Sequence, residues 1–417
     1  MNFETQQQKP AIKYSMAGLT FILASLAWLG PFSIDTYLPS IPAIGESLDV
    51  PTAQVQQTMT VFLFFFAAMS LWHGALADAF GRRRLTLISL VMYLAASIGC
   101  ALSENIFILM VFRAIQGTTA GVGLIVGRAV IRDLFEGARA QRLMSHVAAI
   151  FTIAPVMGPL LGGWLQVWLG WRSIFALMAL LAGIVLFSCW RSLPETLPKK
   201  LRQPFNAGFL ARSYWKVLSN PPFLMAGACL SFVNAGFFIY IMGAPVFLME
   251  HLKLRETQFI LLFLPIAVGM MGGAWISGRC AGKITGEKTI LAGFLVMIAA
   301  AAGNVVLNLL LPPTVPWSLL PVFIYVTGMA IAMPSLTLIS LDLFPAQRGL
   351  AASCQGFIGL GGNSVVSAFV ALIWGSALSF SLTMLVMLAG GVGTILLYWH
   401  FVKRRKTADT AAAPEAA

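Results

Sequence analysis

One acid and one base stand inside long apolar stretches of this sequence, where charge is costly unless it meets a cavity or a partner. The acid is Asp35, in the run Ser33-Ile34-Asp35-Thr36-Tyr37-Leu38-Pro39, and the base is Arg113, with Gln116 three residues on. A carboxyl group that moves toward and away from a guanidinium can load and release a proton. Gly30 and Pro31 precede the acid, and the Pro31 ring opposes the carbonyl of Ala27 and breaks the helix ladder. Pro39 and Pro42 are expected to end the segment. A broken helix that carries an acid lines a cavity. Two alternatives stay open for Asp35: a place at the outer membrane surface, or a permanent ion pair with Arg113. For Arg113 the alternative is snorkelling to the outer surface, and Gln116 shares its helix face and can accept one of its hydrogen bonds.

No other group of residues has the spacing of a catalytic or metal site. Cys100, Cys189, Cys229, Cys280 and Cys354 lie in or beside apolar stretches without a C-x-x-C pattern and read as small buried hydrophobes. His73, His146, His251 and His400 are scattered, so no metal is expected. The nearest approach to a phosphate-cradling loop runs from Gly278 to Lys283, with three residues between its glycines and Ile284 where a hydroxyl is needed. The chain therefore does not hydrolyse ATP, no cofactor is expected, and an ion gradient is the remaining source of energy. Paired intramembrane catalytic groups and a soluble output domain are both missing, which argues against an enzyme or a sensor.

The elements that must position Asp35 and Arg113 are membrane helices. Hydrophobic residues make up 59% of the chain and charged residues 10%, against about 25% charged in soluble domains. That apolar content divides into spans of about 20 residues, at 16–38, 55–77, 84–103, 106–129, 142–166, 171–190, 222–245, 257–280, 288–311, 318–341, 348–374 and 376–402. The first run has no small-residue cleavage site and is a retained span rather than a signal peptide. Twelve spans put both termini on one side. With that side cytoplasmic, only Arg172, Lys253 and Arg255 fall on outside loops, Arg113 lies within a span, and the other 23 of 27 basic residues are inside. The net charge of +12 is thus a topology signal and not a nucleic-acid footprint.

The expected fold is an all-α membrane protein of 12 transmembrane helices in two pseudo-symmetric six-helix bundles. Residues 1–190 form the first bundle, 191–221 a cytoplasmic linker rich in Lys, Arg and Pro, 222–402 the second bundle, and 403–417 a cytoplasmic tail. The halves echo each other: Asp133-Leu134-Phe135 ends span 4 and Asp342-Leu343-Phe344 ends span 10, followed by Gln141-Arg142 and Gln347-Arg348. Two joined repeats can rock around a central site.

Between spans 2 and 3 stands Gly74-Ala75-Leu76-Ala77-Asp78-Ala79-Phe80-Gly81-Arg82-Arg83. Two glycines permit a tight turn, the acid can meet a helix dipole, and the arginines can bridge to it, contacts that can form in one state and break in another. This string resembles the signature loop of the major facilitator superfamily. The loop between spans 8 and 9 has Gly282 where the acid would be, so a gate contact there is weaker or differently built. The Arg113-Gln116-Gly117 pattern is similar to the second motif of the same family. In span 5, Pro155, Gly158, Pro159, Gly162 and Gly163 resemble the antiporter motif of its drug-exporter branch. Gly158 and Gly162 permit close helix contact and the prolines bend the helix. Gly356, Gly359, Gly361 and Gly362 of span 11 are the expected opposing surface.

The string around Asp35, with Arg128, Arg132 and Asp133 after span 4, resembles the Bcr/CflA branch, which includes bicyclomycin and chloramphenicol resistance proteins. The resemblance covers essentially the whole chain. It implies a monomeric proton-coupled exporter of small, largely apolar drugs in the bacterial inner membrane, working by alternating access, with small molecules, protons and lipid as its partners. On the same resemblance Asp35 is the proton-linked acid and Arg113 its coupling partner, while Gly74, Asp78, Gly81, Arg82 and Arg83 form the gate. Some exporters of the superfamily carry a second acid in span 1; none is visible here, which leaves one proton per cycle as the expectation. Aromatic side chains suit a tolerant pocket, and Tyr37, Phe62, Phe65, Gln116, Phe232, Asn234, Phe237, Phe238, Tyr240 and Tyr325 are the candidate substrate contacts. The alternative function is export of an endogenous metabolite such as an amino acid, a peptide or a siderophore.

Overall fold

A computed structural model describes residues 16–135 and 137–411, and among them there are helices and connecting turns but no strand. Lys9 and Lys13 of the N-terminal tail, Glu136, and residues 412–417 lie outside the described residues. In chain order the helices are α1 (Met16–Asp35), α2 (Ile41–Leu48), α3 (Thr52–Phe80), α4 (Arg82–Ala101), α5 (Ile106–Ala120), α6 (Val122–Leu134), α7 (Gly137–Leu169) and α8 (Arg172–Ser192). They continue with α9 (Ala207–Leu218), α10 (Pro221–Met242), α11 (Ile260–Cys280), α12 (Gly286–Leu310), α13 (Leu320–Asp342), α14 (Arg348–Phe369) and α15 (Ala377–Ala411). Among the described residues eleven helical segments are long and apolar enough to cross a membrane, and Ile153–Leu169 of α7 is a shorter apolar stretch that makes the twelfth. Helices are the form such a chain must take, because in lipid each backbone N–H and C=O has to be satisfied within its own segment.

Helix starts follow ordinary capping chemistry. Asn105, Asn206 and Asn220 each accept a hydrogen bond from the backbone N–H three residues on, opening α5, α9 and α10. The first span departs from the expectation set by its prolines. α1 runs through Pro31 without interruption and breaks after Asp35 instead, at Thr36 and Tyr37. A tight turn at Leu38–Ser40 follows, and the helix resumes as α2 with Pro42 in its first turn. A proline lacks the N–H that a first helical turn does not use, so Pro39 and Pro42 restart the helix rather than end it. Span 4 is also divided, at Gly121, where a Cβ would lie 2.7 Å from the Phe66 ring. α15 continues beyond Val402 to Ala411.

The pairing of helices repeats with a six-span offset. α1 packs on α7 as α10 packs on α14, α3 on α5 as α11 on α13, and α4 on α8 as α12 on α15. Two six-helix bundles of the same plan result, and they meet chiefly through α3 with α14 and α7 with α11. The seam is shut at the end remote from the termini: Gln56 Nε2 donates to Ser367 Oγ at 3.2 Å, Thr60 Oγ1 to the same atom at 3.0 Å, and Ser364 Oγ to the Thr60 carbonyl at 3.1 Å. At the terminus-bearing end α9 lies across both bundles. Its Tyr214 hydroxyl donates to the Leu71 carbonyl at 2.5 Å, and Tyr214 and Val217 pack with Phe223, Ala351 and Cys354.

Candidate functional site

A cavity of about 680 Å³ lies between the bundles, lined by α1, α3, α5, α6 and α7 on one wall and α10, α11 and α14 on the other. Arg128, Arg132 and Gly349 line it near the terminus-bearing end, so it reaches toward that end while the opposite end is closed by the α3–α14 hydrogen bonds. Its lining is mostly apolar, with Phe66, Phe237, Phe238 and Phe263 among the rings. Asn234 and Asn363 bring polarity from the second bundle, joined by a 2.6 Å hydrogen bond from Asn234 Nδ2 to Asn363 Oδ1. An apolar hollow with a few convergent polar groups is the usual form of a small-molecule site.

Among the described residues Asp35 is the one carboxylate in that lining. It is 6% exposed, and among the described residues its side chain makes neither a hydrogen bond nor an ion pair. Position at the last residue of α1 explains how it reaches the cavity: the helix stops there, and the chain turns away through Thr36 and Tyr37.

Arg113 is not its partner in this structure. The guanidinium is fully buried, with Nη1 donating to Gln116 Oε1 at 3.0 Å and to the Ser33 carbonyl at 3.3 Å. Nη2 contacts Met59 Sδ at 3.1 Å, and the carbon of the group lies 4.6 Å from the Tyr37 ring centre and 4.3 Å from that of Phe62. Ring faces attract a cation most strongly where water is absent, so these neutral groups form a box around the charge. Gln116 is held in turn by Ser97 at 2.8 Å, Tyr37 by Thr58 at 2.7 Å, and Ser33 hydrogen-bonds Tyr93. Ser33 is the link between the two charges: its carbonyl takes a bond from Arg113, and Asp35 stands two residues along the same helix.

The glycines of the motif at 155–163 press on this acid. A Cβ at Gly158 would come within 2.7 Å of Asp35 Cβ, Gly162 sits directly against the Thr36 carbonyl, and Gly163 against the Glu256 carbonyl. Pro155 of the same motif lines the cavity, while Pro159 is buried in the following turn. The expected opposing surface in span 11 is not the one used. Gly362 faces Ser231, and Gly356, Gly359 and Gly361 have open space around them. The motif instead fits the broken end of α1, because α1 and α7 are neighbours in the same bundle.

The candidate gate residues converge on Arg82. Its Nη1 pairs with Asp78 Oδ1 at 2.7 Å, its Nε with Asp133 Oδ2 at 3.0 Å, and its backbone N–H donates to Glu195 Oε1 at 2.9 Å. Thr196 Oγ1 donates to Asp133 at 2.7 Å, and Arg202 meets Glu195 at 3.4 Å. Gly81 turns the chain at φ +98°, a left-handed value that a glycine adopts without strain, and a side chain there would enter the Glu195 and Arg202 groups. Arg83 Nη2 donates to the Trp190 carbonyl at 2.6 Å, and Gly74 has open space about it. Among the described residues every partner in this network belongs to the first six spans or to the segment at 195–203, and none is in the second bundle.

The candidate substrate contacts separate into four groups. Asn234, Phe237 and Phe238 line the cavity. Tyr37, Phe62 and Gln116 surround Arg113 instead, and Tyr240 and Tyr325 are buried in the second bundle, the former taking a 2.7 Å bond from Asn304 and the latter giving one of 2.9 Å to the Val233 carbonyl. Phe65 and Phe232 have exposed rings outside the lining. Rotation of each helix about its own axis decides these fates, and spans apolar on all sides give little signal of it. Phe66, Asn363, Arg128 and Arg132 line the cavity without having been expected there. The two arginines carried a usable signal, a four-residue spacing that places both on one helix face.

The match to known proteins follows this architecture. Residues 21–365 fit the family model described as Major Facilitator Superfamily, and the chain belongs to that family, as a transporter of the multidrug-exporter branch of Bcr/CflA type. It is 29% identical over 356 residues to an uncharacterized MFS-type transporter, YdgK, of Bacillus subtilis (strain 168), covering 85% of this chain and 88% of that one. A chloramphenicol resistance protein of Pseudomonas aeruginosa is 28% identical over 69% of this chain and 68% of its own. A bicyclomycin resistance protein homolog of Haemophilus influenzae is 29% identical over 64% and 67%. Among solved structures, a bacterial homolog of the human lysosomal transporter Spinster in an inward-facing, unoccupied conformation has the same fold, with a TM-score of 0.71 at 16% identity over 94% of this chain and 96% of that one.

Proposed function

We propose that this chain is a drug/proton antiporter that moves small, largely apolar compounds out of the cytoplasm across the bacterial inner membrane. The observation that carries the reading is Asp35: a buried carboxyl group without a partner among the described residues, facing an aromatic cavity at the point where α1 breaks and the antiporter motif presses. A carboxyl group in that place either holds a proton or attends a bound substrate, and competition between the two is what exchange requires. The relatives named for chloramphenicol and bicyclomycin resistance support drugs as the substrates.

In this reading the bundles at 1–190 and 222–402 rock about the cavity, the linker at 191–221 joins them, and the termini with the tail at 403–417 are cytoplasmic. The open end of the cavity then faces the cytoplasm, ready to load. Arg113 is a fixed cation whose contact with the Ser33 carbonyl passes movement of α1 to its own box, and the Arg82 network is a gate at rest, turned away from the second bundle. One chain supplies both walls of the cavity, so the monomer is the working unit.

The test is drug accumulation by purified protein in proteoliposomes under an imposed pH gradient. The unaltered protein accumulates chloramphenicol or ethidium against its gradient, and Asp35→Asn does not. Uphill accumulation by Asp35→Asn removes Asp35 from the coupling role.

A further inference from the structure

Beside the main cavity lies a second hollow of about 250 Å³, a slot between α1, α6 and α7. Leu23, Leu124, Ile131, Met144 and Val147 supply its apolar walls, and among the described residues Arg128 is the one charged residue that lines it. Two glycines on α6 shape it. Gly123 lies directly against the Leu26 backbone and closes one end, whereas a Cβ at Gly127 would still be 3.9 Å from the nearest atom of Leu23, so the helices part there. Ala27, Leu124, Arg128 and Met144 line both the slot and the main cavity, which makes the two spaces continuous.

Arg128 and Arg132 stand one turn apart on α6, where like charges repel. Both are exposed to the open end of the cavity. Neither side chain has a hydrogen bond or an ion pair among the described residues. Asp133, next in the chain, is engaged with Arg82 and Thr196. Asp35 is the one carboxylate among the described residues of the cavity lining, and it belongs to α1. Among the described residues no counter-charge meets these two adjacent guanidiniums, and beside an apolar slot they complement a ligand with an acidic head and a greasy body.

We propose that this slot and its two arginines bind an amphipathic organic anion, with the aryl or acyl body in the slot and a carboxylate, sulfonate or phosphate head between Arg128 and Arg132. The proposal deepens the exporter reading and rests on it for the route, since the ligand enters through the same cavity; it widens the substrate class from apolar drugs to acidic amphiphiles. A cytosolic organic acid and the headgroup of an anionic lipid share this chemistry.

Binding to the full chain in phosphatidylcholine nanodiscs, without a proton gradient, tests it. The probes are 11-(dansylamino)undecanoic acid and its neutral methyl ester. The acid binds more tightly than the ester by about tenfold, the worth of one charge-assisted pair. Arg128→Gln with Arg132→Gln removes that preference and leaves the ester unchanged, and Arg128→Lys with Arg132→Lys keeps most of it. Gly127→Leu fills the slot and weakens both probes. Equal binding of acid and ester by the unaltered protein overturns the proposal, as does undiminished acid binding by the double Gln variant. If the double Gln variant does not fold, the single Gln variants and Gly127→Leu decide in the same way. Nanodiscs that contain phosphatidylglycerol identify the source: competition that the Gln variants abolish assigns the head site to lipid, and binding indifferent to phosphatidylglycerol assigns it to a free acid. Asp35→Asn, which tests proton coupling, keeps the preference for acid over ester because that preference is read at Arg128 and Arg132, so a failure of proton coupling and a failure of this site are read separately.

Discussion

Arg113 carries a full charge at zero exposure and donates its hydrogen bonds to an amide oxygen, a backbone carbonyl and a thioether, with two aromatic faces beside it. Because its box is built from neutral groups, loss of the Asp35 charge does not orphan it. Loss of Gln116 does. Gln116→Leu removes one acceptor from a buried cation and is expected to cost about 1.5–3 kcal/mol, read as a lowered thermal midpoint, while drug binding in the cavity persists because Gln116 is not in its lining. An unchanged midpoint would mean that the box contributes nothing to the fold. The presence of Asp35 and Arg113 in the interior was legible in the sequence, since a lone charge in an apolar run is visible without coordinates. Their separation was not. Whether Tyr37 and Phe62 turn toward Arg113 or toward a substrate depends on helix rotation, which a uniformly apolar span does not encode.

Two elements turn those residues into a mechanism: the pairing of α1 with α7, and the loop between α3 and α4. Close approach at Gly158 and Gly162 couples α7 to the break after Asp35, so a rigid tilt of α7 must move the acid. The glycine spacing announced a tight helix contact. Its partner was misassigned to span 11, because several helices offered small residues and α1 offered a backbone instead. In the loop, Arg82 answers to two acids rather than one. A charge swap, Asp78→Arg with Arg82→Asp, therefore is not expected to restore transport to a single-site variant, because the new acid faces Asp133 without compensation. Recovery of transport by the swap would show that Asp78 and Arg82 act as an isolated pair. The loop glycines and charges could be read directly from their spacing; the contribution of Glu195 and Thr196 could not, since the segment that carries them is distant in sequence and irregular in structure.

Across the whole molecule the six-span repeat of helix pairings yields two bodies, a seam closed at one end and a cavity that reaches the other. Hydropathy was enough for the twelve spans, and the echo of Asp133-Leu134-Phe135 in Asp342-Leu343-Phe344 for the two halves. The shape of the seam depends on hydroxyl and amide side chains such as Gln56, Thr60 and Ser367, whose pairing across more than three hundred residues leaves no local trace. Thr60 Oγ1 and Ser367 Oγ are 3.0 Å apart, close enough for a disulfide to replace their hydrogen bond. Thr60→Cys with Ser367→Cys, in a background without the five native cysteines, should cross-link on oxidation and stop transport, with recovery on reduction. Continued transport by the cross-linked protein would show that this end does not open. The central claim is that proton and drug compete for Asp35, and the most direct measurement is proton release from detergent-solubilised protein in weak buffer when drug is added. The account predicts release of about one proton per protein, the most that a single carboxyl can exchange, and none from Asp35→Asn. Release of the same size from Asp35→Asn, or none from the unaltered protein as it binds drug, would contradict it.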